Sequence, residues 1–404
     1  MSKAREMAEI ISTPPSIYST DAEVAATYLT QASASTTYLT QENNRTAFKN
    51  LIINGDMQVA QRSSSVASLT AGGYNTADRW HCEINTIGTW TQSVENDAPT
   101  GSGFRKSLKM LCTTADASLA AGDFLFLNQR LEGQNLQQIA KGTSSAKQLT
   151  LSFWVKANVT GTYVVEFFDI DNSRSISQSY TVNASATWEK KTITISADTT
   201  GVFDNDNSNS FQLNWWLGAG STYNSGTLQT IWGSRTTANI ATGVTNLAAA
   251  TNNYWQVTGV QLEVGSIATP FEFLPVQTEL QLCQRYAWTI RDATNINSGS
   301  FDFLAGGTAD NSGTARFSVQ HPIQMRVPPS LVIPSGAIAS NYAILNASGV
   351  TACSAVPNIE RNSDTHTLLN ASRTGMSTGQ QVFLRSNGSV ASFSNFILLF
   401  SAEL

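Results

Sequence analysis

Long stretches of this chain alternate apolar and polar residues with a period of two. In Leu149–Val155, Leu149, Leu151, Phe153 and Val155 share one face, while Thr150, Ser152 and Trp154 share the other. Phe211–Leu217 sets Phe211, Leu213, Trp215 and Leu217 together, and Arg79–Asn85 does the same with Trp80, Cys82 and Ile84. That period is strand geometry, and the Gly, Asn, Asp and Ser clusters between such stretches are turn chemistry. Many short strands joined by polar turns pack as a sandwich or jelly roll, and no strand–helix–strand alternation appears. The pattern predicts an all-β fold from residue 50 to about 275. It predicts a brief helix over Thr278–Tyr286 with Leu280 and Cys283 inward, then strands again over 287–404. Pro322, Pro328, Pro329 and Pro334 mark bends or edges there, and Phe393–Leu404 reads as a buried last strand.

A chain of 404 residues is too long for one ordinary core, so two or three domains are expected. Charged residues make up 13%, about half the usual share of roughly 25%. The surface is therefore hydrogen-bonding rather than ionic. The net charge is −5 and Lys and Arg do not cluster, which argues against a nucleic-acid partner. No apolar run is long enough to insert in a membrane. Met1–Arg5 lacks the apolar core of an export signal. An extracellular-looking surface without that signal suits a protein that leaves its cell inside a virus particle.

Motifs for chemistry are scarce. His81, His321 and His366 are scattered, and no zincin, nucleophile-elbow or phosphate-loop pattern occurs. Nothing nominates a carboxylate pair for glycoside cleavage. No catalytic residue, cofactor or metal ligand is predicted. Asp204–Ser208 starts like a calcium loop, but it has Asn209 where that loop needs glycine and Trp215 where it needs an acid. Cys82, Cys112, Cys283 and Cys353 lack zinc spacing and read as buried thiols, with a Cys82–Cys112 disulfide as the alternative.

Residues 2–11 place Ala4, Met7, Ala8 and Ile11 on one helical face, stopped by Pro14-Pro15. Thr27-Tyr28-Leu29-Thr30-Gln31 then returns as Thr37-Tyr38-Leu39-Thr40-Gln41. Two such copies bury little in one chain but form a narrow core when several chains combine. This segment is read as an oligomeric stalk, with a flexible polar linker as the alternative.

Asn50–Met57 resembles the first strand and turn of the β-sandwich carbohydrate-binding modules attached to glycan-degrading enzymes. Trp255–Gly265 resembles their closing strand, Leu151–Lys156 with Gly161–Val165 their middle hairpin, and Thr187–Lys191 the strand that follows. The order Thr76–Trp80, Val260–Gly265, Ala268–Glu272 and Glu279–Tyr286 is similar to a domain of phage tail-fibre and minor virion proteins. The resemblance covers residues 1–11, 28–41 and 50–286. It implies a stalk for virion attachment and oligomerisation (1–46) and a carbohydrate-binding-module-like jelly-roll sandwich (47–276); residues 277–404, which carry no such motif past Tyr286, read from their strands as a C-terminal β-domain, either a receptor-binding tip or a trimerisation unit. It further implies a tail-fibre-type structural protein on the exterior of a virion, attaching to host-surface glycan without catalysis. Expected partners are sister chains in a homotrimer, other virion proteins through the stalk, and the glycan. A capsid, collar or baseplate decoration is the alternative, and a glycan-degrading tail enzyme is the third reading. Those modules often hold calcium with acids on the closing strand; Gly259 stands where such an acid is useful.

Adjacent residues of a strand face opposite sides, so Trp216 shares a face with Gln212 and Asn214 when Trp215 points inward. Trp154 likewise falls among Thr150, Ser152 and Lys156. A ring among amides and hydroxyls suits a sugar, whose C–H face packs on the ring while its hydroxyls bond the amides. Trp216, Trp154, Gln212 and Asn214 are the candidate glycan contacts. A covering layer or neighbouring subunit over these rings is the alternative.

Overall fold

The computed structural model describes residues 48–290, 303–333, 337–386 and 398–404. The predicted helix over residues 2–11 and the repeat lie outside them. Lys49–Leu404 forms one compact unit.

The predicted β-sandwich is present. A six-stranded antiparallel sheet, sheet A, runs in the order β1 (Ser65–Leu69), β4 (Thr89–Glu95), β5 (Ser107–Thr114), β13 (Tyr254–Val264), β7 (Leu149–Ala157) and β10 (Glu189–Ile195). A seven-stranded sheet, sheet B, runs β12 (Gly233–Ser234), β9 (Arg174–Val182), β8 (Gly161–Asp169), β11 (Asn209–Ala219), β6 (Phe124–Glu132), β3 (His81–Asn85) and β2 (Gly73–Tyr74). The period-two residues form the core between the sheets. Leu151, Phe153 and Val155 from β7 meet Leu213, Trp215 and Leu217 from β11. Phe153 lies edge-on to Tyr180 at 5.1 Å and to Trp215 at 6.0 Å, and Trp80 sits 5.4 Å from Trp215. Burying each such side chain contributes roughly 1.5–3 kcal/mol against the entropy of ordering the chain.

Two local readings are corrected. The alternating stretch at Arg79 becomes strand only from His81, because Arg79 has φ +71° and turns the chain. Asn50–Met57 is not a regular strand. Asn54 and Met57 both take positive φ, and only two backbone bonds tie the segment to β13, Leu51 N–H to Leu262 O and Val260 N–H to Gly55 O. Gly259 makes a bulge in β13 at φ +61°, where a Cβ would strike the Phe104 ring at 2.5 Å.

After β11 comes a long, mostly irregular crossing, Gly220–Thr245, with one α-helical turn, α1 (Ser221–Asn224), the edge strand β12 and a 3-10 turn at Thr237–Asn239. After the sandwich comes α2 (Val276–Gln284), two residues ahead of the predicted helix at each end. The rest is again β. One sheet runs β14 (Ala287–Ile290), β23 (Leu398–Ser401), β17 (Ser330–Val332). The other runs β19 (Gly349–Ala352), β18 (Tyr342–Asn346), β22 (Gln381–Ser386), β15 (Phe303–Ala309), β16 (Thr314–Gln320), β21 (His366–Ser372), β20 (Asn358–Asn362). Of the predicted last strand, Leu398–Ser401 is extended, and 393–397 lie outside the described residues. A second core holds Phe317, Tyr342, Ile344, Leu369, Leu384 and Phe400, with Trp288 stacked on Phe400 at 4.8 Å.

Charge-assisted contacts join the two cores. Arg285 donates to both Glu132 oxygens at 2.8 and 2.7 Å, and Arg62 pairs with Glu403 at 2.9 Å. The Arg79 guanidinium lies 3.5 Å above the Tyr286 ring and also pairs with Glu403. All four cysteines are buried free thiols, so Cys82 and Cys112 are not bridged.

Candidate functional site

The predicted contact residues divide between the outer faces of the two sheets. Trp216, Asn214 and Gln212 lie on sheet B. In register, Trp216 stands between Phe126 of β6 and Val164 of β8, and Asn214 between Asn128 and Glu166. Trp216 is not open. Residues of Gly220–Thr245 cover it, with the Tyr223 ring at 5.5 Å and Ile240 and Ala241 packed in the same cluster. Trp216 and Asn214 are each 1% exposed. Their polar groups point to Glu166 within the fold. Glu166 accepts from Trp216 Nε1 at 3.2 Å, from Asn214 Nδ2 at 3.1 Å and from Arg235 at 2.6 and 3.3 Å. Arg235 belongs to the covering segment, so this ion pair clamps the segment down. The expectation that Trp216 and Asn214 meet a sugar is therefore corrected: the chain supplies its own covering layer. Gln212, half-buried between Arg130 and Phe168, is left beside the sealed area.

Trp154 sits on sheet A and is half-open. The β7–β10 register sets Lys190 directly beside it, and the β7–β13 register sets Thr258 on its other flank. The Thr258 hydroxyl is buried and bonds to nothing. One step along the strands, Lys156 faces Gln256, which in turn faces Lys109. The half-open Trp188, just before β10, lies under the Lys156 ammonium at 5.4 Å, and Lys109 lies over the Tyr254 ring at 4.9 Å. Two indoles and a phenol thus share one face with ammonium groups, over the buried Gln256 amide and Thr258 hydroxyl, which are 2% and 0% exposed.

Asp97 ties this surface together. The β4–β5 connection carries it across the sheet, where it pairs with Lys156, accepts from Trp188 Nε1 at 3.2 Å and accepts from Gln256 Nε2 at 3.3 Å. Burial pushes its carboxyl up, but the bonds from Lys156 and Trp188 outweigh burial and hold it below the ordinary carboxylate range. Gln256 also donates to Ser107 Oγ at 3.2 Å. The carboxylate fixes the orientation of the Trp188 ring and of two donors while keeping 42% of its own side chain open to water.

Of the four predicted residues, Trp154 alone belongs to this surface. Trp188 and Gln256 were within reach of the alternation argument, since Trp188 leads into β10 and Gln256 flanks the inward Trp255 and Val257. Asp97 was not, because it lies in an irregular connection with no period. In the Asp204–Ser208 loop, Asp206 accepts from the Ser208 N–H at 2.9 Å, and the Asp204 N–H donates to Asp171 at 2.9 Å. Among the described residues no three His, Cys, Asp or Glu side chains converge as a metal site. No helix among them is long and apolar enough to cross a membrane.

No protein-family model matches the chain, and no curated protein matches it. Solved structures overlap about half of it. They include the enzymatically active domain of tailspike protein 4 of bacteriophage CBA120, at 12% identity and TM-score 0.29 over 54% of this chain and 21% of that one. A family 4 carbohydrate-binding module matches at 14% identity and TM-score 0.27, over 52% of this chain and 97% of that one. The family 11 module of a Clostridium thermocellum cellulosomal cellulase matches at 9% identity and TM-score 0.25, over 54% and 96%. The match spans about a fifth of the tailspike's length.

Proposed function

We propose that the chain is a structural, adhesive component of a phage particle, of the tail-fibre kind, that holds host-surface saccharide on the Trp154 face without catalysis. The observation that carries this reading is the half-open Trp154 indole, flanked by the exposed Lys190, with the half-open, Asp97-held Trp188 close by. A pyranose on such a ring packs its C–H face and turns its hydroxyls to the flanking donors and acceptors. A non-catalytic role for this face is supported by the state of the acids beside the two indoles. Asp97 is a low-pKa carboxylate already bonded by three donors, poor at giving up a proton to a leaving group. Glu166 is sealed and paired.

In this reading the segment 1–46 attaches to the particle and brings chains together as a homotrimer, and the C-terminal β-region is the distal part. Single saccharide contacts are weak, and repeating one face in a trimer raises avidity by roughly 10²–10⁴ where geometry permits. The test is adsorption of the full chain to host cells and to their purified polysaccharide. Trp154→Ala is expected to abolish both while leaving the oligomer mass unchanged. Undiminished adsorption would remove the Trp154 face from the account. Absence of any adsorption by the wild-type chain would favour a purely structural capsid, collar or baseplate role. Release of reducing ends from the polysaccharide would show an enzyme.

A further inference from the structure

The stretch Ile267–Val276, which leads from β13 into α2, holds eight apolar residues and two polar ones, Thr269 and Glu272. It has no regular structure before Val276. A surface connection normally turns its polar groups to water. This one turns them inward. The Thr269 hydroxyl and N–H donate to Glu263 at 2.7 and 2.8 Å, and the Glu272 N–H donates to Gln261 at 2.9 Å. The Glu272 carboxylate accepts the Asn50 N–H at 3.0 Å. The apolar side chains are left outside, with Ile267 38%, Phe273 51% and Val276 64% exposed. Phe273 is not a loose ring, because Phe104, Phe271 and Phe273 touch one another with centres 4.9 to 5.1 Å apart. A fixed, exposed apolar patch of this kind marks a contact surface. Beside it opens a cleft of about 810 Å³, with Val59, Val94, Val276 and Leu280 on its walls and Lys106 and Gln284 among its polar groups.

The place of the patch along the chain selects its occupant. Lys49, where the compact unit begins, donates to Pro270 O at 2.9 Å, so the chain enters the unit at this patch. Gln41 closes the second Tyr-Leu repeat eight residues earlier, so at most about 28 Å of chain separates the two. We propose that this patch is a contact between sister chains, in which the Phe273 ridge of one copy packs against the Leu280 cleft of the next. The proposal rests on the reading of residues 1–46 as the stalk that gathers the chains. Copies gathered by the repeat are tethered with their Lys49 ends close, and the patch surrounds that end. A ridge and a cleft side by side on each copy make a head-to-tail contact, the kind that closes three chains into a ring. A saccharide suits the ridge less well, since it meets rings and methyl groups where a pyranose needs partners for its hydroxyls.

The experiment measures light-scattering mass of the full-length protein over a dilution series. The double variant Phe273→Asn with Val276→Asn should fall apart at a concentration about tenfold or more above wild type, since each copy loses two apolar contacts. Far-UV circular dichroism checks that it folds. Tyr28→Ser with Tyr38→Ser, in the repeat, should also weaken the assembly. A second measurement reads the patch itself. All four native cysteines are buried, so a maleimide reports an introduced thiol. Phe273→Cys should label slowly in the assembly and at the free rate once diluted, while Ile231→Cys, at a position 74% exposed on the other sheet's side, should label fast throughout. Unchanged dissociation of the Phe273 and Val276 variant, with the repeat variant dissociating, would overturn the patch contact and leave the stalk reading standing. Fast labelling of Phe273→Cys in the intact assembly would overturn it too, and leave the patch to another virion protein. A wild-type chain that stays monomeric at every concentration would overturn the stalk reading beneath it.

Discussion

The two outer faces of the sandwich begin from the same sequence device and end differently. On each, a strand turns an indole away from the core, Trp216 on sheet B and Trp154 on sheet A. On sheet B the Gly220–Thr245 segment returns over the ring, and Arg235 of that segment pairs with Glu166 beneath it. On sheet A the β4–β5 connection crosses the face, but through Asp97 it props up a second indole. Alternation decides which side of a sheet a ring takes. Whether the ring becomes core or surface depends on a segment from elsewhere in the chain.

The largest expected effect is on the sealed side. Trp216→Ala should cost about 3–5 kcal/mol in chemical denaturation, as for large buried aromatics, because the cavity cannot fill. A cost below about 1 kcal/mol would mean the covering segment is loose. Next comes Glu166→Gln, which leaves Arg235 without its charge partner and should cost about 2–3 kcal/mol, moderated because Arg235 reaches water. Hydrogen exchange should rise over residues 220–245 in this variant; unchanged exchange there would show that the clamp is not what holds the segment.

On the open side, stability effects should be smaller and binding effects larger. Trp154→Ala is expected to cost about 1 kcal/mol or less in unfolding, since a half-open ring loses less apolar burial, while saccharide binding disappears. A stability loss equal to that of Trp216→Ala would erase the distinction between the faces. Asp97→Asn should be the mildest, well under 1 kcal/mol, because the exposed carboxylate is screened by water. The pH dependence gives its sign. The folded carboxyl lies below its ordinary value near 3.8, so its contribution is present above that pH and is lost as pH falls through the lower folded value. Acid titration of unfolding should therefore be slightly shallower in Asp97→Asn than in wild type; an identical acid limb would show that the pairing contributes nothing.

Much of this was legible in the residues. Phe153, Trp215 and their period-two neighbours are core as the alternation requires, and Thr278–Tyr286 anticipates α2 to within two residues. The misses have physical causes. Asn50–Met57 has strand-like residues, but positive φ at Asn54 and Met57 bends it, and left-handed Met leaves no mark in sequence. The cover over Trp216 is an irregular segment without period, so its destination is a tertiary fact. Asp97 is one acid in a connection, and its three donors come from three distant stretches, Lys156, Trp188 and Gln256. What alternation gives is direction; what it omits is long-range coverage.

The central claim is that saccharide is held by sheet A and not by sheet B. Calorimetric titration of one oligosaccharide into Trp154→Ala and into Trp216→Phe, which keeps the sealed core filled, tests it most directly. The account predicts no detectable binding by Trp154→Ala and wild-type affinity for Trp216→Phe. Wild-type affinity in Trp154→Ala together with loss in Trp216→Phe would contradict it.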